Sequence, residues 1–210
     1  VGNIAWRAGF VYLSGMKTEY AAIYHTISSL IDISDSEWEY YSALFEVRKF
    51  RKKQMLVQAG EVCRHIFFVN RGLLRVFFID SEGEERTFHF TLTHDFSTDY
   101  ESFLFGTPAN YSIEALEDTE VVLMSHHMVN DGYSKLAGGQ QLGRLLAEKY
   151  FVILSRHIQS VHTLTPMQRY EAMNRQFPGI LQRVSQRIVA SYLNISPVHL
   201  SRLKNPRSKT

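Results

Sequence analysis

Between Ser185 and Lys204 the residues run SQRIVASYLNISPVHLSRLK, and few folds accept that order. Asn194 stands where a sharp bend needs a left-handed backbone, which Asn tolerates second only to Gly. Two residues on, Ser196 is a good helix N-cap, and Pro197 suits the first helical position with its fixed φ and missing donor. Ala190 is small where two helices must approach closely. Ile188, Leu193, Ile195, Leu200 and Leu203 fall where the core between the helices lies. The segment is expected to be a helix-turn-helix; an ordinary capped helical hairpin is the plainer alternative.

The outer side of the second helix then carries Val198, His199, Ser201 and Arg202, residues placed to reach base edges in a major groove. Arg202 suits guanine O6 and N7, Val198 a thymine methyl, and His199 and Ser201 can donate to bases. Ser185, Arg187, Ser196, Lys204, Arg207 and Lys209 are the expected phosphate contacts, which give affinity without sequence preference. Charge points the same way. Residues 166–210 hold eight Lys/Arg and one acid, a net of +7, whereas the rest of the chain holds fifteen bases and twenty acids, a net of −5. A segment this basic on an acidic body suggests an anionic partner, of which double-stranded DNA is the commonest.

Upstream the hydrophobic period is two. From about Val47 to Ser125 short runs rich in aromatic and β-branched residues alternate with turns, as a half-buried pleated surface prefers. The run IFFVNRGLLRVFFIDSEGEERTFHF breaks at Asn70-Arg71-Gly72 and at Asp80-Ser81-Glu82-Gly83, both connections of hairpin length. Further strands are expected at Thr87–Leu92, Tyr111–Leu116 and Glu120–Met124, which together argue a small antiparallel barrel or roll. Before it, Glu19–Ile31 and Ser36–Phe45 read as helices, the second capped by Ser34 or Asp35. After it the period becomes helical. Leu142, Leu146, Tyr150, Ile153, His157, Val161 and Leu164 form one apolar stripe; Phe151, Leu154, Ile158 and Val161 form another. A helix with two such stripes buries two surfaces, one on its own barrel and one on a two-fold mate. Leu146, Tyr150, Ile153, His157 and Val161 are the expected dimer seam.

One cysteine, Cys63, excludes a disulfide framework and any multi-cysteine metal site, and fits a reducing cytoplasm. There is no apolar run long enough to span a membrane. The nine histidines include no His-x-His pair, His89 and His94 are five apart, and His126-His127 at a strand end would point to opposite faces. Asp99 and Glu101 have no nucleophile to serve. No catalytic residue, metal ligand or cofactor is therefore expected. The rival reading is a β-barrel ligand-binding or metal-dependent enzyme module whose helix-turn-helix is vestigial or binds protein. Residues 1–15 are expected to be a non-native leader, because MKTEY from Met16 reads like a natural start.

With barrel, long helix and helix-turn-helix in that order, and with the stretches DYESFLFGTPANYSIEALEDTEVVLMS and VSQRIVASYLNISPVHLSRLK, the chain resembles the Crp–Fnr family of catabolite-activator-like regulators, Bacteroidetes-type members especially. The resemblance implies an α+β fold: an antiparallel β-roll of the cyclic-nucleotide-binding type with flanking helices over residues 16–135, a dimerisation helix over 136–164, and a DNA-binding domain over 165–210. It implies a homodimer on a pseudo-palindromic site, with RNA polymerase a candidate partner. It also places an effector pocket at Phe96, Ser97, Thr98, Asp99, Tyr100, Glu101, Tyr111 and Ser112, near a turn of the long helix at Leu154–His157. Members that bind cyclic AMP carry Gly-Glu and Arg-Ser pairs, and here Thr98-Asp99 and Tyr111-Ser112 stand in those places. Without the arginine a charge-assisted contact worth roughly 1.5–3 kcal/mol is lost, so cyclic AMP is not the expected effector.

Overall fold

The computed structural model describes residues 17–204. The leader expected over residues 1–15, and Asn205, Arg207 and Lys209, lie outside them. A 3-10 turn at Thr18–Tyr20 leads into α1 (Ala21–Ser28) and α2 (Asp35–Ser42). Ser34 caps α2 through a capping box: its hydroxyl accepts from the Glu37 N–H, and the Glu37 carboxylate accepts from the Ser34 N–H at 2.9 Å.

Eight strands follow: β1 (Glu46–Phe50), β2 (Met55–Val57), β3 (His65–Arg71), β4 (Leu74–Ile79), β5 (Glu85–Thr91), β6 (Phe96–Ser97), β7 (Ser112–Ala115) and β8 (Thr119–Ser125). They form two antiparallel four-stranded sheets, ordered β1-β8-β3-β6 and β2-β7-β4-β5. Asp80–Gly83 is a true hairpin turn between β4 and β5. Asn70-Arg71-Gly72 is not, because β3 and β4 belong to different sheets. The chain turns a corner there, and Gly72 (φ 119°) is required: a Cβ at that position would overlap Thr119. One helix interrupts the region read as strand and turn, and another follows it directly. Asp99 caps α3 (Tyr100–Phe105), which ends at the left-handed Gly106, and Ser125 caps α4 (His126–Lys135). His126 and His127 thus open a helix rather than close a strand.

The alternation of side chains along the strands produces three apolar layers. Phe67, Val69, Leu74, Val76, Ile113, Val121 and Leu123 fill the space between the sheets. Phe68, Phe96, Val122 and Met124, on the opposite side of their strands, pack against α1, α2, α4 and α5 (Gly139–Thr163). Leu73, Phe90 and Leu116 carry the outer face of the second sheet into a third layer, completed by α6 (Pro166–Gln176), α7 (Ile180–Arg183), α8 (Gln186–Tyr192) and α9 (Pro197–Lys204). Each fully buried Leu, Ile or Phe contributes roughly 1.5–3 kcal/mol, so the C-terminal helices are held on the barrel by a shared core. Among the described residues no helix is long and apolar enough to cross a membrane.

Candidate nucleic-acid interface

The last two helices are positioned by the residues that predicted them. Asn194 adopts φ 52°, turning the chain between α8 and α9. The Ser196 hydroxyl oxygen accepts from the His199 N–H at 3.1 Å, and Pro197 opens α9. Leu193 and Leu200 are fully buried between the helices, Ala190 lies at their close approach, and Ile188, Ile195 and Leu203 pack half-buried around them. Val198, His199, Ser201, Arg202 and Lys204 are consequently exposed on one side of α9. There is no acid in its first turn, so the partial positive charge at its N-terminus is left for an outside partner.

Ser185 and Ser196 cap α8 and α9, spending their oxygen lone pairs on backbone N–H groups at 3.4 and 3.1 Å. Their hydroxyl hydrogens remain able to donate to a phosphate. Arg187 projects from the first turn of α8 and meets Glu84 of the β4–β5 hairpin at 3.3 Å, with both side chains mostly exposed. Three further residues, which sequence reasoning missed, fix this head on the body. The Arg183 guanidinium grips Glu117 through two bonds of 3.1 and 2.6 Å and donates to the Gly72 carbonyl. Arg169 donates to the carbonyls of Leu164 and Leu193, tying the end of α5 to the end of α8. Ser191 bridges the Thr87 N–H and the Glu85 carbonyl. The contacts to Glu117, Leu193 and Thr87 join residues distant in sequence, and no local pattern signals them.

The two stripes of the long helix meet different surroundings. Leu146 and Tyr150 pack on the chain's own core, where the Tyr150 hydroxyl donates to the Phe96 carbonyl and lies 2.8 Å from Asp95. His157 lies 4.6 Å, ring to ring, from Tyr192. The Tyr150 hydroxyl thus finds its partners within the chain, and Ile153, His157 and Val161 are half-buried. The second stripe is the open one: Phe151 is 71% exposed and Ile158 62%, with Leu154 and Val152 also uncovered.

The residues of the expected effector set have the following surroundings. Phe96 faces the helical layer, and His157 packs against Tyr192. Thr98 donates to the His65 carbonyl, Ser112 accepts from the Ala59 N–H, and Tyr100 is exposed. The Asp99 carboxylate is buried and already accepts from the N–H groups of Ser102, Asn110 and Tyr111 at 2.9–3.2 Å. Tyr111 packs against Phe88 with ring centroids 4.6 Å apart and planes tilted by 58°, and burial, followed by the charges of Asp99 and Glu101, pushes its phenol up. A cavity of about 90 Å³ lies outside the barrel, lined by apolar side chains of α1, α2, α4 and α5; of the expected pocket residues it takes only Phe96. Among the described residues no cluster of His, Cys, Asp or Glu could hold a metal ion.

Residues 47–135 match the cyclic nucleotide-binding domain family. No curated protein sequence matches the chain. Among solved structures, FixK2 from Bradyrhizobium japonicum shares 18% identity over 77% of this chain and 83% of its own, with a TM-score of 0.67. A protein assigned to the Crp/Fnr family of transcriptional regulators, from Eubacterium rectale, shares 16% over 82% of each chain with the same TM-score. A CooA variant from Carboxydothermus hydrogenoformans shares 16% over 84% of this chain and 81% of its own, at 0.65. At such identities the likeness is one of fold. The barrel is thus similar to cyclic nucleotide-binding domains over residues 47–135, and the chain as a whole shares the fold of these solved structures.

Proposed function

We propose that the chain is a sequence-specific DNA-binding transcription regulator that works as a homodimer and is not an enzyme. The observation that carries this reading is the outer side of α9, where Val198, His199, Ser201 and Arg202 are uncovered while Leu200 behind them is wholly buried. A helix held so rigidly from behind, with a free N-terminus and no acid in its first turn, suits insertion into a major groove. Double-stranded DNA is the partner, read by Arg202 and Val198 and gripped by Lys204 and the capping serines.

The reading is tested by selecting duplexes from a random pool with purified protein, then comparing two variants by fluorescence anisotropy. Arg202→Ala is expected to cost about 1–3 kcal/mol on the selected site and to relax discrimination at one base pair. Lys204→Ala should weaken selected and unrelated duplexes alike and make the salt dependence less steep. The reverse pattern would mean that α9 enters the groove rotated. Absence of any salt-sensitive duplex binding would end the DNA-binding reading.

The sensor is not proposed to take cyclic AMP. By family resemblance the cyclic phosphate would sit near Asp99 and Tyr111, yet there the chain offers a buried carboxylate that has consumed three backbone donors, with Glu101 beside it. A second anion in that place meets repulsion and finds no guanidinium. Calorimetric titration is expected to give no heat of binding at micromolar cyclic AMP; a micromolar Kd would overturn this.

A further inference from the structure

The β4–β5 hairpin lies against the two helices proposed to meet DNA. Its turn carries Asp80, Glu82, Glu84 and Glu85, of which two are engaged within the barrel. Asp80 accepts from the N–H groups of Glu82 and Glu84 and pairs with Arg86; Glu85 pairs with Arg75 at 2.7 Å. Glu84 points the other way, to Arg187 in the first turn of α8. Ser191, one turn further along α8, accepts from Thr87 at 2.8 Å and donates to the Glu85 carbonyl at 2.7 Å, as a neighbouring strand would. Between hairpin and helices runs a cleft of about 350 Å³ whose walls include Glu84, Glu85, Arg187, Asn194, Ser196 and Pro197. The acidic turn therefore faces both the start of α8 and the start of α9.

We propose that this hairpin is an autoinhibitory latch, with Glu84 standing where a DNA phosphate would meet Arg187, so that DNA binding requires the turn to withdraw. The inference rests on the DNA-binding reading above. A phosphate approaching Arg187 and the Ser196 hydroxyl meets the Glu84 carboxylate, and swinging Arg187 aside leaves that carboxylate in the phosphate path. The ion pair is exposed and hence weak, and salt screens it. Most of the holding comes from the Ser191 bridge, which is indifferent to salt and must break for the turn to move as a unit. The latch also couples the barrel to the reading head, because its two strands are walls of the sensor.

Two measurements test it. In the first, Glu84→Gln is expected to tighten binding to the selected duplex about twofold to fivefold, and to give no gain in an Arg187→Ala background. An equal gain in both backgrounds would mean a general charge effect and no latch. In the second, Glu84→Cys and Arg187→Cys are combined and joined by a short bismaleimide; native Cys63 is buried and serves as an internal control for side reaction. Linkage is expected to proceed without DNA, to be suppressed by saturating duplex, and to lower duplex affinity on the order of tenfold or more relative to the unlinked form. If the linked and unlinked forms bind equally, or no linkage occurs without DNA, the latch fails alone. If the wild-type chain binds no duplex while linkage proceeds, the DNA-binding reading fails and takes the latch with it.

Discussion

Ile158→Glu is expected to convert the protein from a dimer to a monomer and to lower its affinity for the selected duplex by at least about a hundredfold. Ala147, Phe151, Leu154, Ile158 and Val161 recur at spacings of four and three along α5, the 3.5-residue period of a two-stranded coiled coil. The opposite stripe is occupied by the chain's own core through Leu142, Leu146 and Tyr150. A single chain has no use for a phenylalanine and an isoleucine that are 71% and 62% exposed on one line of one helix. A second copy related by a two-fold axis uses both. Because Ile158 touches no core residue, the glutamate costs the isolated fold little. In a dimer seam it buries an unpaired charge, which costs several kcal/mol. DNA affinity then falls because two linked reading heads become independent ones. Light scattering reads the first effect and anisotropy the second. A variant that remains dimeric at micromolar concentration would show that the seam lies elsewhere. Leu146→Glu is the contrasting change, since it strikes the chain's own core and should unfold the protein.

What the sequence disclosed divides by range. Features that depend on neighbours were legible: the capping residues Ser34 and Ser196, the left-handed Asn194, the Asp80–Gly83 turn and the alternating strands all follow from steric and hydrogen-bonding rules within four or five residues. The helices α3 and α4 carried local signals too, in the Asp99 and Ser125 caps and the glycine after Phe105. They were masked because aromatic residues continue through FLF and an apolar strand runs directly into His126. At Asn70–Gly72 the turn was legible but its destination was not. A corner between sheets and a hairpin use the same residues, and only the Thr119 contact made by Gly72 separates them.

The long-helix and pocket expectations share one limit. Helical period gives the angle between two stripes and says nothing about which one faces the body. Tyr150 went inward where Asp95 and the Phe96 carbonyl meet its hydroxyl, and His157 packs its ring against Tyr192. The pocket positions meet the same limit: a family position can be transferred by sequence, but Asp99's three N–H partners depend on how α3 meets the loop before β7. The outer side of α9 was legible because its address is given entirely by the turn that precedes it.

Lowering the pH from about 7.5 to about 4.5 is expected to cost the wild-type protein about 2–3 kcal/mol more stability than it costs His89→Phe. His89 is buried on β5 where the barrel, α5 and the C-terminal helices meet, with the rings of Tyr150 and Phe177 at 6.0 and 5.9 Å. Its Nε2 has no hydrogen-bond partner among the described residues. Burial, the largest influence, holds its pKa at about 4, against 6.5 for a free imidazole. Asp95 is the one nearby group that favours the charged form, but its carboxylate is already bonded to Lys149 and Tyr150 at 2.8 Å. Lys149 and His157 act against protonation, and burial with Arg169 lowers the pKa of His157 in turn. The neutral imidazole is therefore the folded form. Between pH 6.5 and about 4 the unfolded chain binds the proton and the folded one does not, so stability is intact above that window and falls as pH drops through it. A phenylalanine keeps a ring between Tyr150 and Phe177 and has no proton to take. Urea unfolding of both proteins at the two pH values isolates the difference from the carboxylates, which titrate equally in each. Parallel losses in the two would mean that water reaches Nε2, and that the junction between sensor and reading head is less dry than its packing indicates.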